Sequence, residues 1–218
     1  AMADNLINGV AVLQGDLVRP WSGRWTARVE LDGAVSAGDR AELRMLGVDY
    51  TGTVREAGVI GGRGYALVVA GAGGLERAQE AQHYAGGVSV RLLLQDLLEG
   101  AGEALAATSA PDVLARVLPA WTRTAGPALD ALDALVDYLG ATWRTLPDGS
   151  VWVGADAWAM TSDDWLLISG DPGVGRVTIA ADTATIAPGE SLADGLRVRS
   201  VKHLVTPSQA RTLLRLAI

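Results

Sequence analysis

Leu129-Asp-Ala-Leu-Asp-Ala-Leu-Val-Asp-Tyr-Leu-Gly140-Ala-Thr-Trp143-Arg-Thr-Leu-Pro147-Asp-Gly149-Ser-Val-Trp152-Val153 is the stretch from which the rest of this chain can be read. In its first half, Leu129, Leu132, Leu135, Val136 and Leu139 recur at the spacing of a helix with one buried face. Gly126-Pro127 suits the start of that helix, with Pro127 in the first turn, and Gly140 suits its stop. The second half reads as a hairpin. Thr142 to Thr145 and Ser150 to Val153 are rich in aromatic and β-branched residues. Between them Pro147-Asp148-Gly149 is a turn signal, because proline presets φ and Asp-Gly tolerates positive φ. A helix therefore runs straight into a tight hairpin, and nothing in the stretch is catalytic.

The sequence on both sides is β-like. Val10 to Leu13 is a first strand. Arg24 to Leu31 alternates, with Trp25, Ala27, Val29 and Leu31 on one face and Arg24, Thr26, Arg28 and Glu30 on the other. Ala41 to Leu46, Tyr50 to Ile60 and Tyr65 to Ala70 follow at hairpin spacing, which predicts a sandwich or small barrel. After Gly71-Ala72-Gly73-Gly74 the pattern becomes helical. Glu76 to Gln82 reads as a short helical or loop piece. Ser89 caps a helix with Val90, Leu93, Leu94, Leu97 and Leu98 inward, ended by Gly100 and Gly102. Ser109-Ala110-Pro111-Asp112 resembles a capping box and predicts a helix carrying Val113, Leu114, Val117 and Leu118. Beyond Ala155, Trp165 to Ile168, Arg176 to Ala180, Leu196 to Val205 and Arg211 to Leu216 read as strands, separated by turns at Gly170 to Gly173 and Pro188 to Glu190. The expected fold class is α+β, mostly β, with two small β-barrel-like parts and a helical and hairpin insert between them. The expected boundaries are 4–75, 76–155 and 156–218.

Composition excludes several functions. A net charge of −7 argues against a general nucleic-acid binder, which would show a basic stripe. With no cysteine there is no disulfide, thiol nucleophile or Cys-ligated zinc. No apolar run reaches membrane-spanning length. The start Ala1-Met2-Ala3-Asp4 lacks the basic and apolar runs of a secretory leader, and Ala1 before Met2 reads as an expression scar.

Each candidate for chemistry has a plainer explanation. Gly71-Ala72-Gly73-Gly74-Leu75-Glu76 follows a strand, as a dinucleotide fingerprint would, but Glu76 stands where the last glycine belongs. A linking loop explains it better. His83 and His203 lie in no metal-spaced motif, so a surface or pairing role is expected for both. Asp130, Asp133 and Asp137 share one helical face and read as solvated. Asp163-Asp164 could supply an acid for glycoside hydrolysis, although adjacent carboxylates on a turn usually solvate or cap. Trp21, Trp25, Trp143, Trp152, Trp158 and Trp165 could stack sugars, but the alternation around Trp25 and Trp152 favours core or interface. The reading names no catalytic, cofactor-binding or metal residue and no cofactor.

Three phrases, in this order, resemble the hub proteins of phage tails. These belong with the late-control-D proteins, the baseplate hubs of contractile phages and the N-terminal part of type VI secretion spikes. Tyr84-Ala-Gly-Gly-Val-Ser89-Val90, running into Leu93 to Leu98 and Gly102, looks like the family's segment after its first barrel. Leu132 to Gly140, Trp143-Arg144, Asp148-Gly149 and Val151 look like its helix-and-hairpin insert. Val198 to His203, with Thr206-Pro207 and Thr212-Leu213, looks like the last hairpin of its second barrel. Trp25 to Glu30 and Gly52-Thr53-Val54 also resemble its barrel strands. The resemblance implies two related barrels with an α/β insert, and three copies closing into a ring. It implies a non-enzymatic structural role, joining the tail tube to the spike or fibre. The implied partners are two further copies, a distal tail or tube protein, a spike or fibre protein and the tape measure. DNA would pass through the lumen without specific binding. The place would be the virion tail, assembled in the host bacterial cytoplasm. Members of the family are often considerably longer, so a trimmed hub or an excised piece is implied here. The competing expectations are a glycan-binding β module of a cell-wall-degrading virion protein and, more remotely, a peptidoglycan hydrolase. In the ring reading, Arg197, Arg199 and Lys202 would sit away from the lumen or pair with a neighbour's acids.

Overall fold

The computed structural model describes residues 5–155, 159–160, 166–180, 186–192 and 195–217. These form two compact units, one within Ala1–Ala70 with Ala157–Ile218 and the other within Gly71–Asp156.

The first unit is built on a closed barrel of β1 (Leu6–Ile7), β2 (Val10–Pro20), β3 (Thr26–Leu31), β4 (Arg40–Met45), β5 (Val48–Ile60) and β6 (Arg63–Ala70). Pairing runs β1-β4-β5-β6-β3-β2 and returns from β2 to β1, antiparallel throughout. Closure removes the unpaired edges that an open sheet of this size would expose. The alternation in β3 does what the sequence pattern predicts: Ala27, Val29 and Leu31, with Trp25 just before them, are all buried. Trp25 meets Tyr50 edge-on at 5.3 Å. Gly52 makes room for both the indole and the backbone. A Cβ there would lie 2.8 Å from Trp25 Cη2 and 2.3 Å from the Val69 carbonyl oxygen.

The second unit holds β7 (Ala78–Gln79), β8 (Gln82–Ser89), α1 (Val90–Ala101), α2 (Pro111–Leu114), β9 (Val117–Arg123), β10 (Gly126–Pro127), α3 (Ala128–Leu139), β11 (Thr142–Thr145) and β12 (Val151–Gly154). Ser89 Oγ accepts from the Leu92 N–H, as the cap predicts, and Gly102 and Gly140 end α1 and α3 with positive φ. Pro127 takes the N-cap of α3 rather than a place in its first turn. Leu132, Leu135, Val136 and Leu139 are buried with the leucines of α1, Trp143 and Val151 in one core. The expected hairpin is present as β11–β12, with Trp143 opposite Val153 and Thr145 opposite Val151.

Two sequence expectations fail in this unit. The helix expected to carry Val113 through Leu118 ends after Leu114, and Val117 and Leu118 open β9, which pairs with β8. Val113, Leu114, Val117 and Leu118 fit a helical period by accident. Pro119 blocks a helix continuing through that point but is tolerated in a strand belonging to a two-stranded ribbon. The piece from Glu76 to Gln82 is neither a helix nor a free loop: a single 3-10 turn at Gly74–Glu76 leads to β7, which pairs with β10.

The first unit is completed by β13 (Ala159–Met160), β14 (Leu166–Asp171), β15 (Arg176–Ala180), β16 (Glu190–Ser191), β17 (Arg197–Thr206) and β18 (Gln209–Ala217). The start of β2 closes the barrel against β1, and farther along the same edge of β2 takes β17, from Val205 opposite Gly15 to Ser200 opposite Pro20. The sheet then continues through β18 and β15 to β14. Val177, Ile179, Val198, Val201, Leu214 and Leu216 form the core beneath it.

Candidate assembly surface

Several groups that resemble chemical sites are turned inward and bonded within the chain. The glycine loop after β6 is the clearest case. Glu103, buried, accepts from the N–H of Ala72 at 2.9 Å and of Gly74 at 2.8 Å. The backbone donors that could cradle a phosphate hold an internal carboxylate instead. Gly74 permits this approach, since a Cβ there would fall 1.7 Å from the Ala101 carbonyl oxygen.

The histidines are separate and differ in kind. His83 is exposed, its Nδ1 2.8 Å from Thr122 Oγ1 across β8 and β9. His203 is completely buried, its Nδ1 2.8 Å from Thr212 Oγ1 across β17 and β18. The pairing role expected for His203 is present, but a surface position is not. Burial, with a smaller contribution from the Arg19 guanidinium, pushes its pKa down to about 3, so the ring is neutral. Among the described residues no three His, Asp or Glu side chains converge on a point.

The tryptophans also sort out by environment. Trp21, Trp25 and Trp143 are buried, and Trp143 Nε1 donates to Asp133 at 2.6 Å. Trp152 lies under the Arg144 guanidinium at 4.0 Å and donates to the Thr108 carbonyl. Asp163, Asp164, Trp158 and Trp165 lie outside the described residues. One aromatic pair near solvent is absent from the sequence candidates: half-buried Trp121 sits 5.5 Å from Tyr138, which is 65% exposed. Trp121 on β9 faces Tyr84 on β8. Tyr84 donates to Asp96, and burial followed by that carboxylate pushes the Tyr84 pKa up to about 12. No periodicity marks Trp121, because its partner Tyr138 comes from another element.

The outward faces carry the remaining unassigned features. On β15 and β18, Arg176 and Arg215 stand directly opposite each other, and Arg211 follows on the same face of β18. All three are exposed. Asp171 lies across from Arg176 on the far side, with its Oδ1 bonded to the Gly173 N–H at 3.1 Å. Arg197 and Arg199 are exposed nearby, whereas Lys202 is bound to Asp16 at 2.6 Å. In the second unit, Asp130, Asp133 and Asp137 line the solvent side of α3, as their spacing predicts. A third feature is the β5–β6 turn, where Val59 and Ile60 are 61% and 74% exposed beside Gly61-Gly62. An open hollow of about 680 Å³ lies across β5, β6, β3, β2 and β17. Of its lining side chains, Gln14 and Glu30 bond each other at 2.5 Å, Glu30 also takes Arg63 at 2.5 Å, and Asp16 pairs with Lys202.

No protein-family model and no curated protein matches this sequence. The fold, in contrast, matches solved structures over almost its whole length. The 43 kDa tail protein of a Shewanella oneidensis prophage aligns with a TM-score of 0.71 at 8% identity, covering 99% of this chain and 98% of that one. An E. coli component of the type VI secretion system, itself described as similar to phage T4 tail proteins, aligns with a TM-score of 0.70 at 9% identity, over 98% and 76%. A tail protein of Neisseria meningitidis aligns with a TM-score of 0.67 at 14% identity, over 98% and 95%. The chain has the fold of these proteins. No helix among the described residues is long and apolar enough to cross a membrane.

Proposed function

We propose that this chain is a structural, non-enzymatic subunit of a phage tail tip or baseplate hub, in which three copies form a ring between the tail tube and the spike or fibre. The observation that carries this reading is the likeness to the Shewanella prophage tail protein over nearly the full length of both chains. The inward-turned Glu103, its carboxylate taken up by the N–H groups of the glycine loop, supports a structural rather than a catalytic role. In this reading the regions 4–75 and 156–218 each contribute a barrel-like part to the ring, and 76–155 is the insert. The neighbours are a tube or distal tail protein, a spike or fibre protein and the tape measure, with assembly in the host cytoplasm. The acidic balance keeps passing DNA from adhering, since like charges repel at the wall of a channel.

Cryo-electron microscopy of the assembled tail tip tests this reading. Three copies around the axis are expected. A stack of six or more copies per layer would overturn the hub assignment. A second reading, glycan binding, is favoured by half-buried Trp121 beside exposed Tyr138, because aromatic faces stack on sugars. A monomer in solution that binds cell-wall oligosaccharide, and loses that binding in Trp121→Ala, would establish the second reading over the first. Loss of cell-wall hydrolysis in Asp163→Ala or Asp164→Ala would overturn the non-enzymatic assignment itself.

A further inference from the structure

Charge is divided unequally along this chain. Residues 71–156 hold eleven carboxylates against five arginines, so most of the net negative charge lies in the second unit. The opposite sign gathers on the outer face of β15 and β18. There Arg176 and Arg215 are cross-strand partners, a like-charge pairing that destabilises a sheet; Asp171 on β14 stands opposite Arg176 on its other side, while the strand positions facing Arg215 and Arg211 carry no acid. Arg211 extends the same face four residues along β18, about 13 Å at the rise of a strand. On α3, Asp130 and Asp137 are seven residues apart, about 10 Å along a helix, with Asp133 between them. One Asp133 oxygen is held by Trp143 Nε1, which fixes the carboxylate in place. The three acids and the three arginines are all exposed.

We propose that the Arg176, Arg211 and Arg215 face of one copy docks on the Asp130, Asp133 and Asp137 face of α3 in a second copy. This rests on the multi-copy ring of the proposed function and supplies its contact. The two spans are commensurate, the signs are opposite, and the guanidinium fork matches carboxylate geometry. The contact is heterologous, because each copy offers a different patch to each neighbour. Repeated about an axis whose rotation closes, such a contact gives a ring; without closure it would run on as a filament. Nucleic acid is the competing occupant of a basic face, but the chain's net charge of −7 opposes it.

The test uses two charge-reversed full-length chains, Arg211→Glu with Arg215→Glu and Asp130→Arg with Asp137→Arg. Asp133 is left intact because it holds Trp143. Assembly mass is followed by analytical ultracentrifugation at low and high salt. The parent chain should assemble, less tightly as salt rises. Each reversed chain alone should associate at least about tenfold more weakly, and an equimolar mixture of the two should recover part of the lost assembly by pairing the reversed faces. That rescue also shows that both variants are folded. A parent that assembles while the reversals change nothing, or a loss that mixing does not repair, overturns this contact and leaves the ring standing. A parent that stays monomeric at every concentration overturns the ring and this contact together. Labelled duplex DNA that binds the parent and not the Arg211→Glu, Arg215→Glu chain, with assembly unchanged, would assign the basic face to nucleic acid instead.

Discussion

His203 and Thr212 face each other across β17 and β18 with the imidazole Nδ1 2.8 Å from the hydroxyl, and neither side chain reaches solvent. The strand pair beside the barrel therefore encloses a titratable group in its neutral form. The direction of the resulting pH dependence follows from the two states. The folded pKa is about 3, below the ordinary value of 6.5. Above pH 6.5 the ring is neutral folded or unfolded, and its contribution is fully present. As pH falls from 6.5 towards 3 the unfolded chain takes up the proton and the folded chain does not, so stability is lost over that window.

Urea unfolding should show this loss at a slope of up to about 1.4 kcal/mol per pH unit from this one group. In His203→Gln, which keeps a side chain able to bond Thr212 but cannot titrate, the slope between pH 6 and 4 should be shallower by a similar amount. An unchanged slope would mean that the ring is protonated inside the fold.

Leu135 lies at the centre of the α1–α3 core and is 1% exposed. Leu135→Ala should cost about 2–5 kcal/mol in chemical denaturation, the range for a buried leucine whose cavity does not collapse. A change within about 0.5 kcal/mol would place that face of α3 at the surface.

Glu103 holds two backbone N–H groups of the glycine loop. Glu103→Gln keeps the shape but turns one acceptor into a donor and removes the charge. A loss of about 1.5–3 kcal/mol is expected, the scale of hydrogen bonds to a charged group. Hydrogen exchange at Ala72 and Gly74 should quicken, and protection unchanged from the parent would show that the carboxylate does not hold the loop.

Gly52 sits where a Cβ would meet both Trp25 and the Val69 carbonyl oxygen. Gly52→Ala should destabilise by about 1–3 kcal/mol through overpacking, with the Trp25 fluorescence altered. A neutral result would mean that β5 and β6 separate easily at this point.

Local elements with self-contained patterns are legible from the amino acids alone. The strand from Thr26 to Leu31 alternates strictly, α1 and α3 carry a full apolar stripe with a glycine stop, and Pro147-Asp148-Gly149 forces a hairpin. Each depends on neighbours a few residues away, so period and turn chemistry suffice. The mostly β class follows from the same signals, as does the solvated side of α3. Other features arise from pairing between distant residues. Val117 and Leu118 became a strand because β8 offered a partner, against a spacing that also fits a helix. For His203 the sequence leaves a surface or a pairing role open; its side of β17 is the inner one, and Thr212 supplies the bond that makes it a pairing role. The glycine loop found its anion in Glu103, about thirty residues on. Arg176 and Arg215 became neighbours only through strand register. Register and closure are set by burial summed over a whole sheet, a quantity no short window of sequence contains.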